Sequence, residues 1–186
     1  MPDGAAAASM RAMNKLITGL LATVALFGAG TATASAQMSE WGEDEAVNVV
    51  ATSGSMKIVD EETFGANEVK TFNLAGTKFG TIGGWSPWPR AFNTTISRCA
   101  GGEVRGELHV KADAQTSPRT VWLEAYVYLY EGTSCSTTDF DGYSEHLHFH
   151  LDPGQSITKT FKTTNMAEGA GDSVTATVTF SAQPIL

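Results

Sequence analysis

The chain has 186 residues, a formal net charge of −8 at pH 7 and only four histidines. A surface of this charge repels phosphate backbones, and because the chain contains no basic run, nucleic acid is excluded as the expected partner. The length suits a single domain with one hydrophobic core.

The first 36 residues predict a secretory signal peptide. A short basic segment follows Met13, residues 16–30 form an apolar run, and the small residues that end at Ala36 match the cleavage pattern of signal peptidase. This layout is complete from Met13, which indicates Met13 as the true start. The apolar run is too short for a membrane span of about 20 residues. We therefore expect a secreted, extracellular domain over residues 37–186, with no membrane span in the mature chain.

Short segments with a period of two follow the predicted signal peptide. In chain order the expected strands are 46–51, 56–59, 69–74, 94–99, 104–112, 121–131, 145–151, 157–163 and 174–181. In each, alternate apolar residues indicate one buried face, and turn residues separate the segments. No segment has the periodicity of an amphipathic helix. The sequence predicts an all-β fold, an antiparallel β-sandwich that is Ig-like or jelly-roll-like.

The apolar positions of four expected strands predict one shared core. These positions are Leu108, Val110, Leu123, Val127, Leu147, Phe149, Val178 and Phe180. Each lies on the apolar side of its strand, so the strands should pack these sides against one another.

Two tryptophans lie in a segment rich in glycine and proline, residues 83–90. Proline lacks an amide donor, so this segment predicts a loop and not a central strand. Trp85 and Trp88 then have two interpretations. They present flat rings to a carbohydrate, or they cover an open end of the core.

The two cysteines, Cys99 and Cys135, predict a disulfide bond. Both follow the signal peptide, and an isolated pair in an oxidising compartment pairs most simply with itself. Closing the loop between them stabilises the fold by about 3–4 kcal/mol, because it restricts the unfolded chain.

The expected strand at 121–131 is unusual because the face opposite its aliphatic face is aromatic. One face is aliphatic, and the other carries Trp122, Tyr126, Tyr128 and Tyr130. Pairing this strand with 104–112 about the midpoint of their loop predicts His109 opposite Glu124. An exposed aromatic stripe stacks against sugar rings or binds an apolar partner, whereas a covered stripe packs against its own chain.

Three histidines alternate along the strand at 145–151. His146, His148 and His150 should share one face while the leucines and Phe149 point the other way. The turn sequence at 152–156 predicts a hairpin that places Leu151 opposite Ile157. The histidines then form either a solvated strand face or, with His109 or a carboxylate from a nearby strand, a zinc or copper site.

A short motif adds to the metal interpretation. His146-Leu-His148 is followed after three residues by Asp152, and this resembles the first half of the cupin metal motif. No histidine follows His150, so the second half of that motif is missing and the resemblance covers seven residues. The sequence does not predict membership of the cupin family.

Calcium is a further metal hypothesis, because Asp139, Asp141 and Glu145 surround Gly142 in a segment rich in hydroxyl side chains. The same residues are ordinary turn formers. No G-x-S-x-G or H-E-x-x-H motif is present, so catalysis is not predicted. The leading function is non-catalytic extracellular binding of a protein or a carbohydrate. The alternatives are a zinc- or copper-binding protein and a small secreted hydrolase that uses an unrecognised site.

Overall fold

The structure, a computed structural model, describes residues 42, 45–62, 66–85, 87–115, 119–165 and 171–185. Its strands are β1 (Ala46–Asp60), β2 (Glu68–Asn73), β3 (Lys78–Gly83), β4 (Ala91–Ala100), β5 (Val104–Gln115), β6 (Thr120–Tyr130), β7 (Phe140–Tyr143), β8 (Leu147–Leu151), β9 (Ser156–Thr164) and β10 (Ser173–Pro184). The predicted signal peptide and its cleavage site lie outside the described residues. None of the described residues forms a helix long and apolar enough to cross a membrane.

The strands form two antiparallel sheets of five strands each, which confirms the predicted all-β sandwich. Sheet I has the order β2-β1-β10-β9, and β3 also pairs with β1. Sheet II has the order β4-β5-β6-β7, and β8 also pairs with β6. In each sheet two short strands share one edge position: β2 and β3 lie along β1, and β7 and β8 lie along β6.

The core lies between the sheets and confirms the predicted set. Seven of the eight predicted residues are buried, and Leu147 is partly buried and packs against them. Phe180 of β10 is at the centre, with the rings of Phe79, Phe149 and Phe161 at centroid distances of 5.4, 5.2 and 6.3 Å. These rings come from both sheets, so Phe180 joins the two layers.

The disulfide bond is formed as predicted. The Cα atoms of Cys99 and Cys135 are 5.9 Å apart. Cys99 lies on β4 and Cys135 in the loop between β6 and β7, so the bond crosses over β5. A hydrogen bond from Arg105 Nη1 on β5 to the carbonyl oxygen of Cys135, at 3.0 Å, holds the same loop. The loop is therefore fixed against the solvent side of sheet II.

Two strands, β3 and β7, are absent from the sequence prediction because glycines interrupt their patterns. A Cβ on Gly80 of β3 would lie 2.5 Å from the ring of Phe92, and a Cβ on Gly142 of β7 would lie 2.7 Å from Thr163 Oγ1. Glycine is needed at both positions because neighbouring side chains occupy the space. The segments predicted at 46–51 and 56–59 form the single strand β1, which contains a bulge near Ser53.

The predicted pairing of β5 with β6 was wrong by two residues. His109 lies opposite Tyr126, and Lys111 lies opposite Glu124. Both strands extend further into their connection than the pattern indicates, because Asp113 to Gln115 continue β5. A shift of two residues keeps every side chain on its predicted face, so the core prediction is unaffected.

The predicted hairpin between the histidine strand and β9 was also wrong. β8 pairs with β6, β9 pairs with β10, and the turn between them crosses from sheet II to sheet I. In this turn the amide of Gly154 donates to the carbonyl oxygen of Ala182 on β10, at 2.6 Å. β6 and β10 are longer than β8 and β9, and without β8 and β9 each would have an unpaired edge. β6 and β10 therefore offer β8 and β9 longer partners than β8 and β9 offer each other. Leu151 therefore lies opposite Val121 and not opposite Ile157.

The solvent side of sheet I is covered by hydroxyl groups. Thr177 and Thr179 of β10 lie opposite Thr160 and Thr158 of β9, with oxygen–oxygen distances of 3.0 and 2.8 Å. Ser53 of β1 adds a third hydroxyl at 2.8 Å from Thr179 Oγ1. β-Branched hydroxyl residues suit a sheet face that remains in water.

Buried carboxyl groups lie at one end of the sandwich. Asp60 and Asp172 are buried, and Asp172 Oδ1 accepts a hydrogen bond from the amide of Glu61 at 2.6 Å. Burial and the Asp172 carboxylate raise the pKa of Asp60 to about 6. Burial and a hydrogen bond with Asp172 raise the pKa of Glu131 to about 7.

These carboxyls predict that the fold loses stability as the pH rises from acidic to neutral values. A carboxyl whose pKa is raised on folding stabilises the folded state below its unfolded pKa, and that contribution is lost as the pH rises through the folded value. For Asp60 and Glu131 the loss falls between about pH 4 and pH 7. Chemical denaturation at pH 5 and pH 8 should show an unfolding free energy that is about 2 kcal/mol lower at pH 8, after allowance for solvent screening.

The matched variant is Glu131→Gln, which cannot titrate and should flatten this pH dependence. Burial lowers the pKa of His109 against the opposing effect of Glu107, and this acts in the opposite direction in both proteins. Asp60 also titrates in both, so the difference between the two proteins isolates the contribution of Glu131. An equal pH dependence in both proteins would contradict the prediction.

Candidate functional site

The aromatic stripe of β6 and the histidines that the sequence singled out lie on the solvent side of sheet II, here called the outer face. Its side chains form rows across the strands, defined by the strand pairing. The rows are Cys99, Arg105, Tyr130 and Phe140; Ser97, Glu107, Tyr128 and Tyr143; Thr95, His109 and Tyr126; Asn93, Lys111, Glu124 and His148; and Ala91, Asp113, Trp122 and His150.

His146 reaches the outer face from the break between β7 and β8. Ser144 bridges this break: its amide donates to the carbonyl oxygen of Val127 at 2.9 Å, and its Oγ accepts from the amide of Val127 at 3.0 Å. The edge therefore stays attached to β6 where regular pairing stops. His146 follows immediately and stacks on Tyr126, with a ring distance of 3.8 Å and an angle of 4°.

The centre of the outer face is a stack of three rings. His109 stacks on Tyr126 at 4.9 Å with an angle of 9°, and His146 stacks on Tyr126 from the other side of β6. Only 5% of Tyr126 is exposed. This part of the aromatic stripe is thus covered by its own chain, one of the two interpretations that the sequence left open.

Each stacked histidine is held by a carboxylate. His109 Nε2 lies 3.1 Å from Glu107 Oε2, and His109 Nδ1 lies 3.0 Å from Thr95 Oγ1. His146 Nδ1 lies 2.7 Å from Glu124 Oε1. These contacts fix both imidazole rings in the plane that stacking on Tyr126 requires.

Glu124 is ionised and paired on both oxygens. Its Oε2 lies 3.4 Å from Lys111 Nζ, and its Oε1 contacts His146. Burial raises the pKa of Glu124, but the hydrogen bonds from His146 and Lys111 outweigh burial and lower the pKa below its usual value. The Lys111 ammonium also lies 5.3 Å from the centre of the Tyr126 ring.

The predicted face of β8 is confirmed, but its histidines occupy separate environments. His148 and His150 are exposed, while Phe149 and Leu151 are buried. His148 lies opposite Glu124, and the ring of His150 is 6.0 Å from that of Trp122. Within the described ranges no group of three or more His, Cys, Asp or Glu side chains is arranged to hold a metal ion. A zinc or copper site at His109, His146, His148 or His150 stays a prediction.

The residues of the calcium hypothesis make loop contacts. Asp141 Oδ2 accepts a hydrogen bond from the amide of Glu131 at 2.7 Å, and the Asp139 carbonyl oxygen accepts from the same amide at 3.2 Å. The amide of Asp139 donates to Thr137 Oγ1 at 3.1 Å. These contacts close the loop between β6 and β7. A calcium site at Asp139, Asp141 and Glu145 stays a prediction.

A groove surrounds Trp122 at one end of the outer face. Its volume is about 580 Å³, and its lining includes Arg90, Lys111, Asp113, Trp122, Glu124 and His148. The side chain of Trp122 is 49% exposed. The groove therefore combines one large apolar ring with charged groups of both signs. Asp113 and Arg90 had no sequence signal as site residues, because only the register of β5 and the start of β4 bring them beside Trp122.

An aromatic cluster occupies the other end of the outer face. It consists of Tyr128, Tyr130, Phe140 and Tyr143, with ring distances of 5.2 Å for Tyr128–Phe140 and 5.7 Å for Tyr130–Phe140. Phe140 is 48% exposed and Tyr143 is 54% exposed. The Arg105 guanidinium lies 4.4 Å from the centre of the Tyr130 ring and closes one side. Sequence reasoning missed Phe140 and Tyr143 because the Asp-Gly between them reads as a turn.

Trp85 and Trp88 lie in the loop between β3 and β4, as predicted, and the structure brings neither into the lining of the groove. Trp88 packs against Gly83, where an added Cβ would lie 2.7 Å from the Cβ of Trp88. The amide of Trp88 donates to the carbonyl oxygen of Trp85 at 3.0 Å. Trp85 is 54% exposed.

Comparisons with protein-family models, with curated protein sequences and with solved structures find no significant match. The chemistry of the outer face is therefore interpreted from its geometry. That geometry provides an open groove with a flat ring, a fixed polar centre and a second exposed aromatic cluster. All three lie on neighbouring strands of one sheet.

Proposed function

We propose that this protein is a non-catalytic extracellular binding module that takes a carbohydrate in the groove around Trp122. The observation that carries the proposal is the half-exposed Trp122 ring in a groove of about 580 Å³ with a charged lining. Ligand sites are concave and combine apolar surface with a few polar groups that fix orientation. A ring that is left half exposed on a rigid strand suits a flat ligand.

The groove matches the two-sided chemistry of a sugar ring. The C–H groups of a pyranose form an apolar face that packs on an indole, while its hydroxyls both donate and accept hydrogen bonds. Asp113 supplies acceptors beside Trp122, and Lys111 supplies donors. Because charges of both signs line the groove, it favours a neutral polyol over an ion.

The carboxylates of the outer face support binding over hydrolysis. A glycosidase needs one carboxyl with a raised pKa that serves as a general acid. The pKa of Glu124 is instead lowered by its partners. The carboxylate of Glu107 is paired through Oε1, which lies 3.2 Å from Arg105 Nε, and through Oε2, which lies 3.1 Å from His109 Nε2. Extracellular location is supported by the disulfide bond, which persists in oxidising compartments.

The experiment is a binding screen of the mature protein against immobilised neutral polysaccharides: cellulose, xylan, mannan, chitin and amylose. We expect one class to bind and Trp122→Ala to weaken that binding by about tenfold or more, because the variant loses the stacking surface. Isothermal titration with a soluble oligosaccharide of the same class gives the affinity.

Trp85→Ala is the matched control, since Trp85 is an equally exposed tryptophan outside the groove lining. It should leave the affinity unchanged. Equal losses in both variants, or binding of an extracellular protein and of no polysaccharide, would refute the carbohydrate proposal.

A further inference from the structure

Two separated aromatic surfaces lie on the same side of sheet II. Trp122 lies at one end of β6, and the exposed rings of Phe140 and Tyr143 lie beside its other end, where Tyr143 is opposite Tyr128. Tyr128 lies six positions after Trp122 along the strand. At about 3.4 Å per residue the two rows are roughly 20 Å apart, which exceeds the length of a single sugar ring.

We infer that the ligand is a linear, neutral polysaccharide that lies along β6, with sugar rings on Trp122 at one end and on Phe140 and Tyr143 at the other. This inference rests on the proposed function and extends it from a single groove to the whole outer face. One sugar in the groove leaves the second aromatic cluster unused, whereas an extended chain of sugars contacts both.

The surface between the two aromatic ends offers hydrogen-bonding groups, and its tyrosine ring is covered. Tyr126 is covered by His109 and His146, so no sugar stacks there. The side chains of Lys111 and His146 are more than a third exposed and supply polar atoms along the path. A polysaccharide contacts such a surface through its hydroxyls, which run along both edges of the chain.

The charged side chains of the outer face favour a neutral polysaccharide. Glu124 is paired with Lys111 and His146, and Glu107 with Arg105 and His109. Each carboxylate thus already has cationic or imidazole partners, so neither an anionic nor a cationic polymer finds an unpaired charge at these positions. The net charge of −8 on the full chain further repels polyanions.

Both ends of the path are rigid before any ligand binds. Trp122 lies within the hydrogen-bonded strand β6, and the cluster at Phe140 adjoins the loop that the Cys99–Cys135 bond fixes. The residues that stack therefore lose little conformational freedom on binding, which favours affinity for a chain of matching length.

The experiment measures affinity against ligand length. Oligosaccharides from the disaccharide to the octasaccharide, taken from the polysaccharide that binds in the screen, are titrated into the protein by calorimetry. We expect the affinity to rise by about tenfold or more between the shortest and the longest ligand, since the second contact is then intramolecular. Hyaluronate serves as the polyanionic probe and should not bind.

Alanine variants test whether Trp122 and the pair Phe140 and Tyr143 each contact the polysaccharide. The double variant Phe140→Ala/Tyr143→Ala should lower affinity for the octasaccharide by about tenfold and leave affinity for the disaccharide unchanged. Trp122→Ala should weaken both ligands, and Trp85→Ala neither. Circular dichroism in the far ultraviolet, together with a cooperative thermal unfolding transition, verifies that each variant is folded.

The outcomes separate this inference from the proposed function. If affinity depends on Trp122 but not on ligand length or on the double variant, the polysaccharide path is wrong and the groove remains the binding site. If no oligosaccharide binds, or Trp122→Ala has no effect, the proposed function itself fails and the path fails with it. Tighter binding of hyaluronate than of the neutral octasaccharide would overturn the assignment of a neutral ligand.

Discussion

Replacing Phe180 with alanine is expected to lower the free energy of unfolding by about 3–5 kcal/mol. Phe180 is fully buried on β10 and packs against Phe79, Phe149 and Phe161, which come from three other strands in both sheets. Truncation leaves a cavity that these rings cannot all fill. Because a domain of this size is stable by about 5–15 kcal/mol, the loss should be plain in urea denaturation followed by tryptophan fluorescence.

Thr177→Ala is the matched control for this prediction. Thr177 lies on the same strand but faces solvent, where its Oγ1 is 3.0 Å from Thr160 Oγ1. We expect a cost of less than about 1 kcal/mol, because an exposed hydroxyl pair contributes little. A cost at Thr177 equal to that at Phe180 would mean that the two faces of β10 are assigned wrongly.

The second large effect is expected from removing the disulfide bond. The variant Cys99→Ser/Cys135→Ser should lose about 3 kcal/mol of stability, chiefly because the unfolded chain gains freedom when its loop is opened. Denaturation of the variant and the oxidised protein under identical conditions gives the difference. The control is the oxidised protein after mild reduction, which should match the variant.

A thiol titration decides whether the bond exists in the folded protein. Denatured, unreduced protein should contain essentially no reactive thiol, because Cys99 and Cys135 are bonded to each other. Two reactive thiols per chain would contradict the pairing, and a stable, unaltered double variant would contradict its contribution to stability.

The sandwich was predictable because its buried faces follow a period of two. The alternation at 174–181 identifies the inward side of β10 without any knowledge of its partners, and the same holds for β5, β6 and β8. Strand order was not predictable in this way. The alternation of β8 fits β9 as well as it fits β6, and only the unpaired edges of the assembled sheets decide between them.

The candidate site was predictable in part for the same reason. The alternation of β6 alone identifies Trp122 as an outward aromatic residue. It identifies the outward tyrosines of the same strand in the same way. The groove forms because Asp113 lies opposite Trp122 in the pairing of β5 with β6. The register predicted from the midpoint of the loop differs from this pairing by two residues. The covering of Tyr126 by two imidazoles depends on contacts between strands, and no pattern within one strand encodes them.

The hydroxyl-covered side of sheet I gives the domain two unlike surfaces. All residues assigned to ligand contact lie on sheet II, and the threonines of β9 and β10 bond mainly to one another. Under the proposed function, only the outer face of sheet II contacts ligand. A tether, a fluorescent dye or a fused partner placed at an outward position of β9 leaves the opposite side open to solvent. The same geometry allows the domain to be attached to a solid support through sheet I with the outer face of sheet II directed into solution.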